Sequence, residues 1–275
     1  MNPEWTSIDA FLDFWLKDNP LTGEDRVVFD RYYTGYRQNF SPYVRHHFAN
    51  QSREIVSEIR SRDSPRVLEV GAGCGTESLW FSLNGANVTA IDIATDRLSV
   101  ARARLAWLNS RLQSPLDAAY VEASLFEFEP DKPFDIIWLE QAFHHLEPRV
   151  QVYERLAHLL APNGTVIISE CNAWNPPMQL QLFLRRGFRT RTHFVDPRGR
   201  RIEYGNERIT TPGALSRGLE KVGLTVREIR PFRMLPNSNP PASWLAVERT
   251  LVSSLPFLAT HFNIVATKGD GPASE

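Results

Sequence analysis

The chain has 275 residues, a net charge of −1 from 31 lysines and arginines against 32 acids, and 42 % hydrophobic residues. That length suits one large domain with an elaboration or two small ones, and the balanced charge lacks the basic footprint of a nucleic-acid-binding protein. No run approaches the roughly 18 apolar residues of a membrane-spanning helix, the N-terminus has no basic secretory n-region, and Cys74 and Cys171 make neither a disulfide framework nor a four-cysteine zinc site, so a cytoplasmic protein is expected.

Residues 1–63 read as a helical N-terminal arm. Trp5, Ile8, Phe11, Leu12 and Trp15 recur at helical spacing behind an Asn2-Pro3 cap, and Asn19-Pro20 ends the run. A second helix carries Val44, Phe48, Ile55 and Ile59 and stops before Ser64-Pro65. Between them Arg31-Tyr32-Tyr33-Thr34-Gly35-Tyr36-Arg37 is too irregular to assign.

From Arg66 short β-branched runs alternate with longer amphipathic ones, the pattern of βα units around a parallel sheet. Strands are expected at Arg66–Val70, Asn87–Asp92, Ala118–Glu122, Phe134–Leu139 and Thr165–Glu170. Helices fall between them: Ala94–Leu112 is the clearest, and Val150–Leu160 is stopped by Pro162-Asn163-Gly164. The alternation then breaks over an insertion, 172–210, in which Trp174, Met178, Leu180, Leu182, Phe183 and Phe188 offer enough apolar surface to pack as a lid over the sheet edge. Within it Thr190–Val195 and Arg200–Tyr204 read as a hairpin about the turn Asp196-Pro197-Arg198-Gly199. The rhythm returns with helix Pro212–Val222, strand Leu224–Pro231 and strand Phe262–Thr267, so the core is 64–171 with 211–268, and the tail 269–275 reads as disordered.

The segment VLEVGAGCGT, 67–76, sets a glycine-rich turn between a buried strand and a helix, where backbone N–H groups can meet a ligand without an intervening Cβ. Its spacing is G-x-G-x-G; the third glycine of a dinucleotide fingerprint is replaced by Thr76. Asp92 closes the next strand at the sheet's carboxyl edge, where a carboxylate can accept the hydroxyls of a ribose.

These motifs, with FDIIWLEQAFHHLEP and LLAPNGTVIISE in order behind them, resemble the class I S-adenosylmethionine-dependent methyltransferases, in their small-molecule (quinone, sugar and natural-product) branch. The resemblance implies a Rossmann-like, doubly wound, mostly parallel α/β sheet of seven strands in the order 3-2-1-4-5-7-6, the last strand antiparallel. It implies S-adenosylmethionine as cofactor, its methionine part held by Glu69 and the Gly71, Ala72 and Gly73 backbone, its ribose by Asp92 and its adenine by Ile93. Ser124 and Leu125 stand where many members keep an adenine-binding Asp, Glu140 closes the fourth strand beside the cofactor, and Tyr33 and Tyr36, with Tyr32 and Arg37 near them, cover it from the N-terminal side. Plain packing is the other reading of these tyrosines.

Phe143-His144-His145-Leu146 follows the fourth strand, and histidine has the pKa suited to removing a proton from a hydroxyl acceptor. By the same resemblance His144, or less readily His145, is the base and Glu170 its carboxylate aid; a structural turn is the competing reading. Glu140, Glu170 and Asn172 depart from the oxygen ligands of metal-assisted members, so no metal is expected. Asn175-Pro176-Pro177-Met178 lies in the wrong place, and ends on the wrong residue, for a base-methylating motif, and no nucleic-acid partner is expected. Arg185, Arg186, Arg189, Arg191, Arg198, Arg200, Arg201 and Arg208 outnumber Asp196, Glu203 and Glu207, which suits an anionic or carrier-bound substrate, or merely a solvated basic face.

The expected activity is therefore methylation of a small molecule, at oxygen first, with nitrogen or carbon acceptors and a non-catalytic cofactor-binding partner as alternatives. A nicotinamide-dependent short-chain dehydrogenase needs Tyr-x-x-x-Lys, which no tyrosine here begins.

Overall fold

The computed structural model describes residues 5–195 and 201–270. It falls into two compact units: one takes residues up to Glu129 with Phe134–Trp138 and Asn237–Leu245, the other Pro130–Pro133, Leu139–Pro236 and the chain from Ala246.

The first unit opens with α1 (Ile8–Lys17), α2 (Gly23–Tyr32), α3 (Thr34–Gln38), α4 (Pro42–Gln51) and α5 (Arg53–Arg60). The cap of α1 is Ser7, whose hydroxyl accepts the Ala10 N–H, rather than the expected Asn2-Pro3; position 2 lies outside the described residues. The single helix expected through Val44 and Ile59 is two, broken at Ser52, and the tyrosine stretch left unassigned is the end of α2 and all of α3. Phe11, Leu12 and Trp15 of α1, and Ile55 and Ile59 of α5, are fully buried in this unit.

The βα rhythm is present as read: β1 (Arg66–Val70), α6 (Thr76–Leu83), β2 (Asn87–Asp92), α7 (Thr95–Asn109), β3 (Ala118–Glu122) and β4 (Phe134–Glu140). β1, β2 and β3 pair in parallel, with Val70 opposite Ile91 and Asp92 opposite Glu122, so their carboxyl ends lie in line.

The second unit carries α8 (Arg149–Leu159), β5 (Leu160–Cys171), α9 (Pro176–Arg186), the hairpin β6 (Arg191–Val195) and β7 (Arg201–Gly205), then α10 (Pro212–Lys221), β8 (Leu224–Phe232), α11 (Trp244–Ser254) and β9 (His261–Lys268). The expected hairpin turn 196–199 lies outside the described residues. Lys268 Nζ donates to the Ala157 and Leu160 carbonyls, satisfying the end of α8. The chain runs from there straight into β5, whose pairing with the antiparallel β9 begins at Thr165.

The large sheet has the order β3-β2-β1-β4-β5-β9-β8, the expected 3-2-1-4-5-7-6 with the β6–β7 pair standing apart as its own small sheet.

The insertion departs from expectation. Of its apolar residues Leu182 is buried, whereas Trp174, Leu180, Phe183 and Phe188 are exposed, Phe188 by 89 %. Only one face of α9 turns inward, and Phe183 and Phe188 cover each other at a ring distance of 5.0 Å rather than packing on the core.

Candidate active site

The first part of the site is built at the carboxyl ends of β1 and β2. Gly71 and Ala72 both donate to the Ile91 carbonyl, at 2.8 and 3.1 Å, which draws the glycine turn onto the end of β2. The buried Asp92 carboxylate then accepts the Gly73 N–H through Oδ2 and the Ala94 N–H through Oδ1, each at 2.8 Å. Gly73 has φ +51°, and the hydroxyl of Tyr32 occupies the place a Cβ would take. Glu69 and Ala72 are buried, Ile93 stands 47 % exposed directly after Asp92, and Leu125 is buried behind Ser124, whose carbonyl accepts the Glu127 and Phe128 N–H groups.

The three tyrosines divide in a way the sequence did not show. Tyr33 is buried with its hydroxyl 2.6 Å from Thr76 Oγ1, the same atom that accepts Arg104 Nη1 at 2.9 Å. Burial pushes the Tyr33 phenol well above its usual value. Tyr36 packs its ring against Phe40 and Phe48. The tyrosine against the glycine turn is Tyr32, with the Arg97 guanidinium 5.2 Å from its ring centre. The available signal was helical phase: Phe29 and Tyr33, one turn apart, face inward on α2, which leaves Tyr32 at the edge.

In the second unit, Gln141 adopts the left-handed conformation at φ +48° and is followed by a 3-10 turn over Phe143–His145. His144 is buried. Its Nδ1 lies 2.7 Å from Glu170 Oε1, and its backbone N–H donates to Glu170 Oε2 at 2.9 Å. Because a carboxylate only accepts, Nδ1 carries the proton and Nε2 the lone pair. Burial opposes the imidazolium, but the charge and hydrogen bond of Glu170, with Glu207 and the half-buried Glu140 behind it, outweigh burial and leave the His144 pKa above 6.5.

His145 is tied to β7. Its Nδ1 donates to the Gly205 carbonyl at 3.0 Å, and its ring stacks on Tyr204 at 4.5 Å and 16°. Burial first, and then the neighbouring His144 charge, lower its pKa. Glu207, two residues beyond β7, brings Oε2 to 3.7 Å from His144 Nε2. The sequence counted Glu207 only against the insertion's arginines, and nothing local to residue 207 announces that β7 passes the histidine turn.

Several other polar residues in and beside the insertion have structural partners. Glu147, fully buried, binds Arg208 and sits 3.6 Å from Arg149, while Arg191 pairs with Glu203. Asn175 accepts the Met178 N–H as the cap of α9, which accounts for the Asn-Pro-Pro run. Asn172 donates to the Ala259 carbonyl and accepts the Trp174 N–H. Both cysteines are free thiols.

The methyltransferase domain family is matched over residues 68–166. The ubiquinone biosynthesis O-methyltransferase of Aeromonas salmonicida (strain A449) is 29 % identical over 176 residues, 63 % of this chain and 68 % of that protein. The protein of the same name from Xylella fastidiosa (strain M23) is 32 % identical over 145 residues, 52 % of this chain and 57 % of that one, so the match spans part of each relative's length. Among solved structures, the magnesium protoporphyrin IX methyltransferase of Synechocystis PCC 6803 with bound SAH is similar in fold at a TM-score of 0.55 and 13 % identity, over 94 % of this chain and 97 % of that one. A SAM-dependent methyltransferase from Methanosarcina mazei reaches 0.56 at 16 %, over 76 % and 95 %.

Residues 68–166 are a methyltransferase domain of the class I S-adenosylmethionine-dependent kind. Its cofactor is S-adenosylmethionine, and the residues present fit it. The Asp92 oxygens each take one N–H and retain a lone pair for a ribose hydroxyl, and Ile93 holds an apolar side chain in the open beside them.

Proposed function

We propose that the protein methylates an oxygen of a small molecule, with His144 receiving the acceptor's proton. The observation that carries this reading is the buried His144–Glu170 pair at 2.7 Å, which holds the imidazole by Nδ1 and leaves Nε2 as proton acceptor. The O-methyltransferase names of the relatives support oxygen as the acceptor atom.

S-adenosylmethionine supplies a methyl group on a sulfonium, ready for in-line displacement. Glu69, the Gly71–Gly73 backbone, Asp92, Ile93, Ser124, Leu125 and Glu140 would hold it, with Tyr32 against the glycine turn and Tyr33 and Tyr36 packed in the arm behind Tyr32. His144 Nε2 would take the acceptor hydroxyl's proton as that oxygen displaces the sulfur from the methyl carbon, the carbon–sulfur bond breaking and the sulfur leaving as a neutral thioether; Glu170 would stabilise the imidazolium so formed and fix its orientation. Alignment and exclusion of water provide much of the acceleration. His145, held on Tyr204 and Gly205, braces the turn that presents His144.

An anionic acceptor, free or carrier-bound, fits the second unit. A cavity of about 460 Å³ is lined by Leu182, Arg185, Arg186, Arg189 and Asn206 together with Glu207, the residue beside His144. Arginines in that number suit a carboxylate or phosphate.

Calorimetric titration with S-adenosylmethionine, on wild type and Asp92→Ala, tests the cofactor site; a loss of at least tenfold in affinity, about 1.4 kcal/mol, is expected. A methyl-transfer screen over hydroxylated aromatic acids and matching amines follows, with His144→Ala as control. Transfer to a hydroxyl that falls at least a hundredfold in His144→Ala supports the reading. Transfer only to amines, or undiminished transfer without His144, overturns it.

A further inference from the structure

We propose that His144, His145 and Glu207 bind one divalent transition-metal ion of the zinc class. One ligand atom from each lies within 4.8 Å of those of the other two, and His144 Nε2 is 3.7 Å from Glu207 Oε2. A tetrahedral zinc ion holds nitrogen and oxygen at about 2.0–2.2 Å, which sets its ligands roughly 3.4 Å apart. Closing separations of up to 4.8 Å to that spacing takes a movement of at most about 1.4 Å, and the Glu207 side chain, 48 % exposed, has room to shift.

The surroundings of the two rings point to an ion. His144 Nδ1 is held by the Glu170 carboxylate and His145 Nδ1 by the Gly205 carbonyl, partners that only accept. Both rings therefore carry the proton on Nδ1 and a lone pair on Nε2. Metal-binding histidines are oriented by this kind of outer partner, a carboxylate or a backbone carbonyl on the other nitrogen. The stack of His145 on Tyr204 fixes the second ring further. Two imidazoles and one carboxylate suit zinc, whereas magnesium and calcium prefer all-oxygen sets. The ligands come from the 3-10 turn and from the far end of the β6–β7 hairpin, so no sequence motif announces them.

The consequence for activity rests on the methyl-transfer reading. His144 Nε2 cannot both hold the ion and take the acceptor's proton, so zinc inhibits transfer.

Metal-free protein is titrated with Zn²⁺ against a chromophoric chelator, with Mg²⁺ in parallel, and His145→Ala and Glu207→Gln are titrated alongside after circular dichroism confirms their fold. One zinc per chain is expected, with affinity at least tenfold weaker in each variant and a zinc-dependent rise in wild-type Tm that the variants lose. No stoichiometric binding, wild-type affinity in either variant, or magnesium bound as tightly as zinc overturns the site. Undiminished transfer by the zinc-loaded protein puts the ion elsewhere than on His144 and overturns it too. Failure of the methyl-transfer reading shows separately, as absent transfer by metal-free wild type, and leaves the titration standing.

Discussion

Gly205 lies with its backbone against the carbonyl oxygen of His144, so closely that a Cβ on residue 205 would collide with it. The contact belongs to a seam in which His145 donates to the Gly205 carbonyl and Leu146 bridges Tyr204. That seam carries Glu207 to His144. Gly205→Ala must push β7 away from the histidine turn, and an overpacked site of this kind costs about 1–3 kcal/mol. Urea denaturation is expected to show that loss, with methyl transfer reduced beyond anything seen for Arg201→Ala on the exposed end of the same strand. A Gly205→Ala protein with wild-type midpoint and activity would show that the seam does not position the turn.

Tyr33 is the tyrosine of the N-terminal arm whose role can be separated by its hydrogen bond. Its hydroxyl meets Thr76 at the start of α6, one residue past the glycine turn, and Arg104 meets the same threonine. Tyr33→Phe removes one buried hydrogen bond, about 1 kcal/mol of stability, while the Arg104 contact keeps Thr76 in place. Affinity for S-adenosylmethionine is therefore expected to weaken by less than tenfold, well short of Asp92→Ala. An equal loss in the two variants would make the Tyr33 hydroxyl a direct contact rather than a brace.

What the sequence revealed was local, and what it concealed was not. Three strands, Arg66–Val70, Asn87–Asp92 and Ala118–Glu122, have the bounds that their β-branched runs indicated. The glycine turn and Asp92 were legible because spacing along the chain alone brings them together. The break at Ser52 was hidden because Val44, Phe48, Ile55 and Ile59 are spaced by four, seven and four, which one helix satisfies as well as two. Tyr32 and Glu207 were hidden for a different reason. Each reaches its place through packing between distant segments, α2 on the β1–α6 turn and β7 on the histidine turn. The exposed Phe188 and Leu180 show the converse limit: apolar content in the insertion does not say which face finds a partner.

Cys74 sits in the glycine turn itself and offers a probe of its closure. Burial, opposed in part by Arg104 and Arg97, pushes its thiol up to about 12, and burial likewise raises Cys171 well above the usual value. At pH 8 only about one Cys74 in ten thousand is thiolate, the reactive form. Native protein is expected to resist iodoacetamide at pH 8 at both cysteines, and protein unfolded in urea to take up two labels, counted by mass spectrometry. Labelling of Cys74 in the native protein at the rate of a free thiol would mean that the turn opens on the timescale of the reaction.

The N-terminal arm supplies a pH-dependent contribution to stability. Asp13 of α1 is partly buried, which by itself raises its pKa, but hydrogen bonds and charge from Lys17 and from Arg45 of α4 outweigh burial and hold the carboxyl below 3.8. A carboxylate whose folded pKa is depressed stabilises the fold above its unfolded value and loses that contribution as the pH falls through the folded one. Arg45 is 30 % exposed and Asp13 20 %, and Asp9 shares the same guanidinium, so the cluster is worth about 0.5–1 kcal/mol after solvent screening. Arg45→Gln is therefore expected to be less stable than wild type by that amount at pH 7, and the gap should close as the pH is lowered below 3.8. Denaturant titrations of the two proteins at pH 7 and across the acid range measure it. A gap that persisted unchanged into acid would assign the loss to the contact of the Arg45 guanidinium with the face of Phe40, 5.4 Å from its ring centre, instead of to the ion pairs.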